Sequence, residues 1–128
     1  MKFIFKTNEP LDKLVSFIIQ KNPEAILLNG ELGAGKTTLV AQLAKKLGEK
    51  KAVISPTFNT ILVYDKLVHI DAYKLKGDLF AYEDYFENKL VAIEWANNIK
   101  HNFKNYLEIN VFFDKNQNHI FEIINGVK

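Results

Sequence analysis

Apolar residues at 11, 14, 15, 18 and 19 follow the i, i+3, i+4, i+7, i+8 spacing that lays one face of a helix on a core. Thr7-Asn8-Glu9-Pro10, just upstream, offers a capping residue and an early proline, so the helix is expected to begin there. KFIFK at 2–6 reads as a short strand. Residues 25–28, Ala-Ile-Leu-Leu, form a continuous apolar run, as expected of a strand covered on both faces in a parallel sheet. Leu39, Leu43 and Leu47 mark a second helix, with Lys45 and Lys46 in its last turn and Gly48 closing it. Further strands are expected at 52–54 (AVI), 60–64 (TILVY), 67–70 (LVHI) and 90–94 (LVAIE), with a helix near 79–87. The chain closes with YLEINVFFD and HIFEII on either side of Lys115-Asn116-Gln117-Asn118, an alternating pair that predicts a hairpin. The pattern predicts an α/β fold: a mainly parallel central sheet flanked by helices, with a C-terminal antiparallel hairpin. No linker, internal repeat or low-complexity stretch divides residues 1–128, which read as a single domain.

Between the apolar run and the second helix stand three of the chain's six glycines, in NGELGAGKTTLV at 29–40. Gly30-Glu31-Leu32-Gly33-Ala34-Gly35-Lys36-Thr37 fits G-x-x-x-x-G-K-[ST], in the strand-to-helix setting that motif requires. Glycine is needed where a side chain would block an anion or where φ must be positive, so that successive N–H groups can turn inward on phosphate oxygens. Lys36 is then expected to reach the β and γ phosphates and Thr37 to offer its hydroxyl to Mg²⁺. The following helix turns its positive end to the anion. The fold expectation sharpens to a P-loop NTPase.

Such a loop needs a carboxylate at the end of a neighbouring strand to hold magnesium through its waters. Asp71 follows LVHI, and Glu94 ends LVAIE. A carboxylate closing an apolar strand is costly to bury without an ion or a donor, which favours a role for Glu94. Period 2 sets His69, Asp71 and Tyr73 on one side if the extended backbone persists. His69 has no second His or Cys nearby, so packing or hydrogen bonding is expected of it rather than metal ligation. Trp95, the chain's one tryptophan, reads most simply as core.

Composition adds a constraint. The 17 basic residues are all lysine and balance 15 acidic ones, too even a ratio to announce a polyanion partner. Without arginine the chain has no guanidinium fork and no arginine finger of its own. It has no cysteine, no apolar run near the roughly 20 residues that span a bilayer, and an N-terminus unlike a signal peptide. A cytoplasmic location with no membrane role is expected.

The glycine loop, SPTF at 55–58, HIDAYKL at 69–75 and IEW at 93–95, in this order, resemble the TsaE family. These are the bacterial P-loop ATPases of tRNA threonylcarbamoyladenosine (t6A) biosynthesis. The resemblance covers nearly the whole chain and implies ATP/ADP and Mg²⁺ as ligands. The TsaD and TsaB proteins are the implied partners, with tRNA engaged indirectly through their complex. It maps Gly30, Glu31, Leu32, Gly33, Ala34, Gly35, Lys36, Thr37 and Thr38 to the nucleotide loop, Ser55-Pro56-Thr57 to a switch-like loop near the γ-phosphate, Asp71 to the magnesium site, and Glu94 with Trp95 to the pair beside the nucleotide. Two positions depart from the family pattern. Lys74 stands where arginine commonly follows the tyrosine, and Ala96 where proline often follows the Glu-Trp pair.

The expected chemistry is ATP hydrolysis: Thr37 and Asp71 hold the metal, with Glu94 also a candidate ligand, Lys36 neutralises charge at the β/γ bridge, and Glu94 or Thr57 positions the attacking water. A small-molecule P-loop kinase and a non-hydrolysing nucleotide sensor are the alternatives. A kinase usually carries an arginine-bearing lid, which this chain lacks.

Overall fold

The structure, a computed structural model, describes residues 1–31, 33–53 and 60–125. Seven strands form one sheet: β1 (Lys2–Phe5), β2 (Ala25–Gly30), β3 (Ile61–Val63), β4 (Leu67–Asp71), β5 (Leu90–Glu94), β6 (Tyr106–Phe113) and β7 (His119–Asn125). Their order across the sheet is β1-β7-β6-β2-β5-β4-β3. The two α-helices are α1 (Asp12–Lys21) and α2 (Lys36–Lys46).

β2 sits between β5 and β6, parallel to both. Its apolar run is covered on both sides: Ile26 and Leu28 pack with Leu14, Ile18, Leu39 and Leu43 of the helices, while Ala25 and Leu27 face Val68, Ile70 and Ile93. Burying each such side chain contributes about 1.5–3 kcal/mol. β4 adds a third parallel pairing to β5. Both edges are antiparallel, β3 on β4 at one end and β1 on β7 on β6 at the other. The sheet is therefore parallel across its middle four strands and antiparallel outside them, a mixed sheet rather than a mainly parallel one.

Both α-helices lie on one face. The opposite face is covered by connecting chain, with Leu79, Ile99, Tyr82, Phe86 and Phe103 packed against the strands. The segment expected to be helical near 79–87 is a 3-10 turn, Phe80–Tyr85, closed by i→i+3 bonds from Tyr82 to Leu79 and from Phe86 to Glu83. None of its six residues is fully buried, and of the packed Leu79, Tyr82 and Phe86 only Tyr82 lies within it. α1 starts at Asp12 rather than at the 7–10 segment, which folds into its own turn: the Glu9 N–H donates to the Lys6 carbonyl, and the Lys6 N–H to Glu9 Oε1. Ala52 and Val53 are not in a strand, and Ile54, the third residue of that expected strand, lies outside the described residues.

β2 leaves the sheet toward α2 and β4, whereas the chain after β5 crosses to β6 on the other side of β2. The carboxyl ends of β2 and β5 thus flank the place where connections diverge, the usual ligand crevice of an open α/β sheet. Gly30 makes this departure possible. It has φ +137, and a Cβ there would lie 1.8 Å from the Val111 carbonyl oxygen of the paired strand. Gly30→Ala is expected to destabilise the protein by about 3 kcal/mol, from overlap and backbone strain together. Gly48→Ala, at φ +91 with nothing within 4 Å of the added atom, should cost about 1 kcal/mol. Urea denaturation of the two variants checks the contrast, and equal losses would refute it.

Candidate active site

The glycine turn leaves β2 at Gly30 and enters α2 at Lys36. Its departure is anchored by the Glu31 N–H donating to the Val111 carbonyl at 3.2 Å. At its far end, His119 Nδ1 lies 2.6 Å from the Ala34 carbonyl, so that nitrogen carries the proton. Gly33 and Gly35, at φ +78 and +124, take conformations that other residues adopt with strain. Among the described residues an atom added at Gly33 meets nothing within 4 Å.

Lys36 is 4% exposed, and its ammonium folds back onto the loop. Nζ donates to the Gly30 carbonyl at 2.7 Å and to the Glu31 carbonyl at 3.0 Å. It also lies 4.2 Å from the centre of the Trp95 indole, a cation–π contact. Burial pushes the Lys36 ammonium below its ordinary range, against the opposing pull of Glu94, Asp71 and Glu31.

Trp95 is held there at a conformational cost. Its backbone is left-handed at φ 58, ψ 41, which for a non-glycine residue costs about 1–2 kcal/mol. Several contacts hold the turn: the Ala72 N–H donates to the Glu94 carbonyl, Asn98 Nδ2 donates to the carbonyls of Ala72 and Tyr73, and the Tyr73 ring meets the indole edge-on at 5.0 Å. Asn29, buried at the end of β2, accepts the Asn97 N–H on Oδ1 at 2.8 Å and ties this turn to the loop's origin.

Glu94 is 7% exposed. Its Oε2 accepts the Thr37 hydroxyl at 2.8 Å and also meets His69 Nε2 at 2.5 Å. Asp71 stands opposite Glu94 in the β4–β5 register, and its Oδ1 accepts the Tyr73 N–H at 3.0 Å. His69 thus bonds Glu94 rather than Asp71. Among the described residues no three His, Cys, Asp or Glu side chains converge as a metal site. Thr37, Asp71 and Glu94 are the oxygen-bearing side chains here that could hold a Mg²⁺, a metal that takes few protein oxygens.

The structure therefore gathers Gly30, Glu31, Gly33, Ala34, Gly35, Lys36, Thr37, Asp71, Glu94 and Trp95 at the ends of β2, β4 and β5. Leu32, Thr57 and the Ser55-Pro56-Thr57 segment lie outside the described residues. Thr38 lines a groove of about 440 Å³ with Lys6, Asn8, Gly35, Gln42 and His119. A roomier cavity, about 780 Å³, lies at the opposite end of the strands against Pro23, Glu24 and Leu90, away from the loop. Sequence reasoning had no means of finding His119 or Asn29, whose roles come from the placement of β7 and of residues 96–98.

The chain is similar to several known proteins. The family model for threonylcarbamoyl adenosine biosynthesis protein TsaE matches residues 5–120. The tRNA threonylcarbamoyladenosine biosynthesis protein TsaE of Aquifex aeolicus is 42% identical over 100 residues, 72% of this chain and 74% of that protein. That of Rickettsia felis is 38% identical over 109 residues, 77% of this chain and 64% of that protein, so the chain spans under two thirds of its length. The crystal structure of Bacillus subtilis YdiB superposes with a TM-score of 0.67 at 21% identity, covering 96% of this chain and 83% of that one, a likeness of fold.

The lowered Lys36 pKa fixes the sign of one pH effect. Between that value and 10.5 the unfolded chain binds the extra proton, so stability attributable to Lys36 rises with pH. In urea melts the wild type is expected to gain stability relative to Lys36→Met as pH approaches 10.5. A constant difference would refute this.

Proposed function

The chain belongs to the TsaE family of threonylcarbamoyl adenosine biosynthesis proteins, and from that premise we propose that it is a Mg²⁺-dependent ATPase supporting t6A formation on tRNA. It acts as the accessory ATPase of a TsaD–TsaB complex in the cytoplasm, and tRNA is engaged through that complex. The observation that carries the reading is the meeting of Lys36, Thr37 and Glu94 at the mouth of the glycine turn.

The N–H groups of residues 33–37 hold the phosphates. Lys36 gives up two neutral carbonyls for anionic phosphate oxygens, and charge-assisted bonds of that kind are about twice as strong as neutral ones. Its place under Trp95 makes the exchange a short swing. The Thr37 hydroxyl, now on Glu94, and Asp71, opposite Glu94 across the strands, are the groups that would hold Mg²⁺. Mg²⁺, when bound, neutralises charge on the β and γ oxygens. Glu94, relieved of Thr37, positions the attacking water and accepts its proton, and Thr57 is the other candidate for positioning that water. The groove beside Gly35 and Thr38 adjoins the cradle and takes the nucleoside.

With so little covalent work to do, the rate depends on positioning and charge. Lacking arginine, the chain supplies no finger to the transition state. Slow hydrolysis by the chain alone, and faster hydrolysis once TsaD and TsaB are added, is expected; equal rates would count against the partner role. Calorimetry should register ATP binding with Mg²⁺, weakened about 30-fold or more in Lys36→Ala. Glu94→Ala should reduce turnover about 100-fold or more, and unchanged turnover would favour a nucleotide sensor. Tripolyphosphate should bind the wild type and Gln42→Ala alike, while ATP binds the variant more weakly. Equal weakening of both ligands would move the nucleoside out of the groove.

A further inference from the structure

We propose that His69 is a positioning residue for Glu94 in the reaction proposed above, and the inference rests on that reading. It holds one carboxylate oxygen from inside the sheet so that the other is the one presented to the attacking water.

His69 is completely buried in the middle of β4. In the parallel pairing His69 stands opposite Ala92 and Asp71 opposite Glu94. Ala92 and Glu94 are two apart on β5 and share a face, the face on which Leu67, Ala92 and α2 pack together. His69 and Glu94 are therefore diagonal neighbours across two strands, and the small side chain of Ala92 leaves the imidazole room to lean along the sheet toward the carboxylate. α2 brings Thr37 to the same carboxylate from above. Three elements thus converge on Glu94.

Both bonds fall on one atom. The Thr37 hydroxyl and His69 Nε2 each donate to Glu94 Oε2, and neither uses Oε1. The ring proton sits on Nε2, because the carboxylate offers no hydrogen in return. His69 Nδ1 is buried without a partner, the sole such side-chain atom among the described residues. An aliphatic residue would fill this position without that orphan, and buried polar groups usually have every partner satisfied. A polar ring kept here at that cost matches a function delivered through Nε2.

With Thr37 released from Glu94, His69 would be the donor still on Oε2. Without it the carboxylate is free to rotate and to present either oxygen, or neither, to the water. The step that suffers is turnover, since His69 is completely buried and is not among the groups proposed to hold the phosphates or the nucleoside.

The test uses the full chain with its TsaD and TsaB partners. His69→Leu keeps the volume and removes the donor, whereas His69→Gln carries an amide N–H near the position of Nε2. Expected for His69→Leu is a kcat lowered about tenfold or more with the Kd for ATP, measured by calorimetry, changed less than about threefold. His69→Gln recovers most of the rate. On a Glu94→Ala background His69→Leu adds less than about threefold, because its route is already gone. Losses that multiply in the double variant, or a rise in Kd with kcat intact, overturn the proposal. Should His69→Leu not fold, the comparison of His69→Gln with the shorter His69→Asn carries the test, and equal turnover in the two overturns it.

Long-range ¹H–¹⁵N spectra of the ligand-free wild type should show the proton on Nε2, with a resonance that moves in Glu94→Ala. A proton on Nδ1 overturns the proposal without reference to catalysis. Wild-type turnover with an unchanged His69→Leu sinks this inference alone. A wild type that hydrolyses no ATP, alone or with partners, sinks the proposed function and takes this inference with it.

Discussion

Glu94 closes a strand whose other members are apolar, and its carboxylate is nearly out of water. A charge so placed persists only where donors replace its hydration. Thr37 and His69 provide them from different elements, so satisfying one carboxylate fixes the first turn of α2 above the sheet and the lean of a side chain within it. The glycine turn is thereby defined at both ends. It departs where the Gly30 backbone touches β6, and it arrives at a helix whose second residue is bonded to β5.

The lysine obeys the same constraint with the sign reversed. A buried ammonium needs acceptors, and in the ligand-free chain these are two carbonyls and an indole face. None of the three is anionic, which makes them adequate hosts and weak competitors. The nearby carboxylates of Glu94, Asp71 and Glu31 pull toward the charged form, against the larger opposing push of burial. In the ligand-free chain Lys36, Thr37 and Glu94 are each held by fixed partners.

Much of this was legible in residue order. A four-residue apolar run announced a strand covered on both faces, and β2 is one, because a central parallel strand has no polar side to display. Glycines, lysine and threonine at fixed spacing located the turn, since few other jobs need positive φ and a cation together. What escaped was decided by tertiary placement. Leu79, Tyr82 and Phe86 pack on the sheet, yet the intervening residues make only a 3-10 turn, a distinction that depends on the neighbours. That both helices would share a face cannot be read from two amphipathic stripes. The partner of His69 was equally hidden: alternation set the ring beside Asp71, and the neighbouring strand supplied Glu94 instead. His119, 85 residues from the carbonyl it meets, gave no local signal at all.

The unequal covering of the two faces has a dynamic consequence. On one side β2 and its neighbours lie beneath two regular helices whose amides are bonded internally. On the other they lie beneath short turns and connecting chain held by scattered contacts. Segments with few cooperative bonds open at lower free energy than the whole molecule. The thin side can therefore breathe while the helical side stays shut, and Trp95, whose turn is stitched to residues 72–73, belongs to the breathing half. Solvent deuterium would reach the indole's surroundings long before it reached the helix that carries the lysine beneath it.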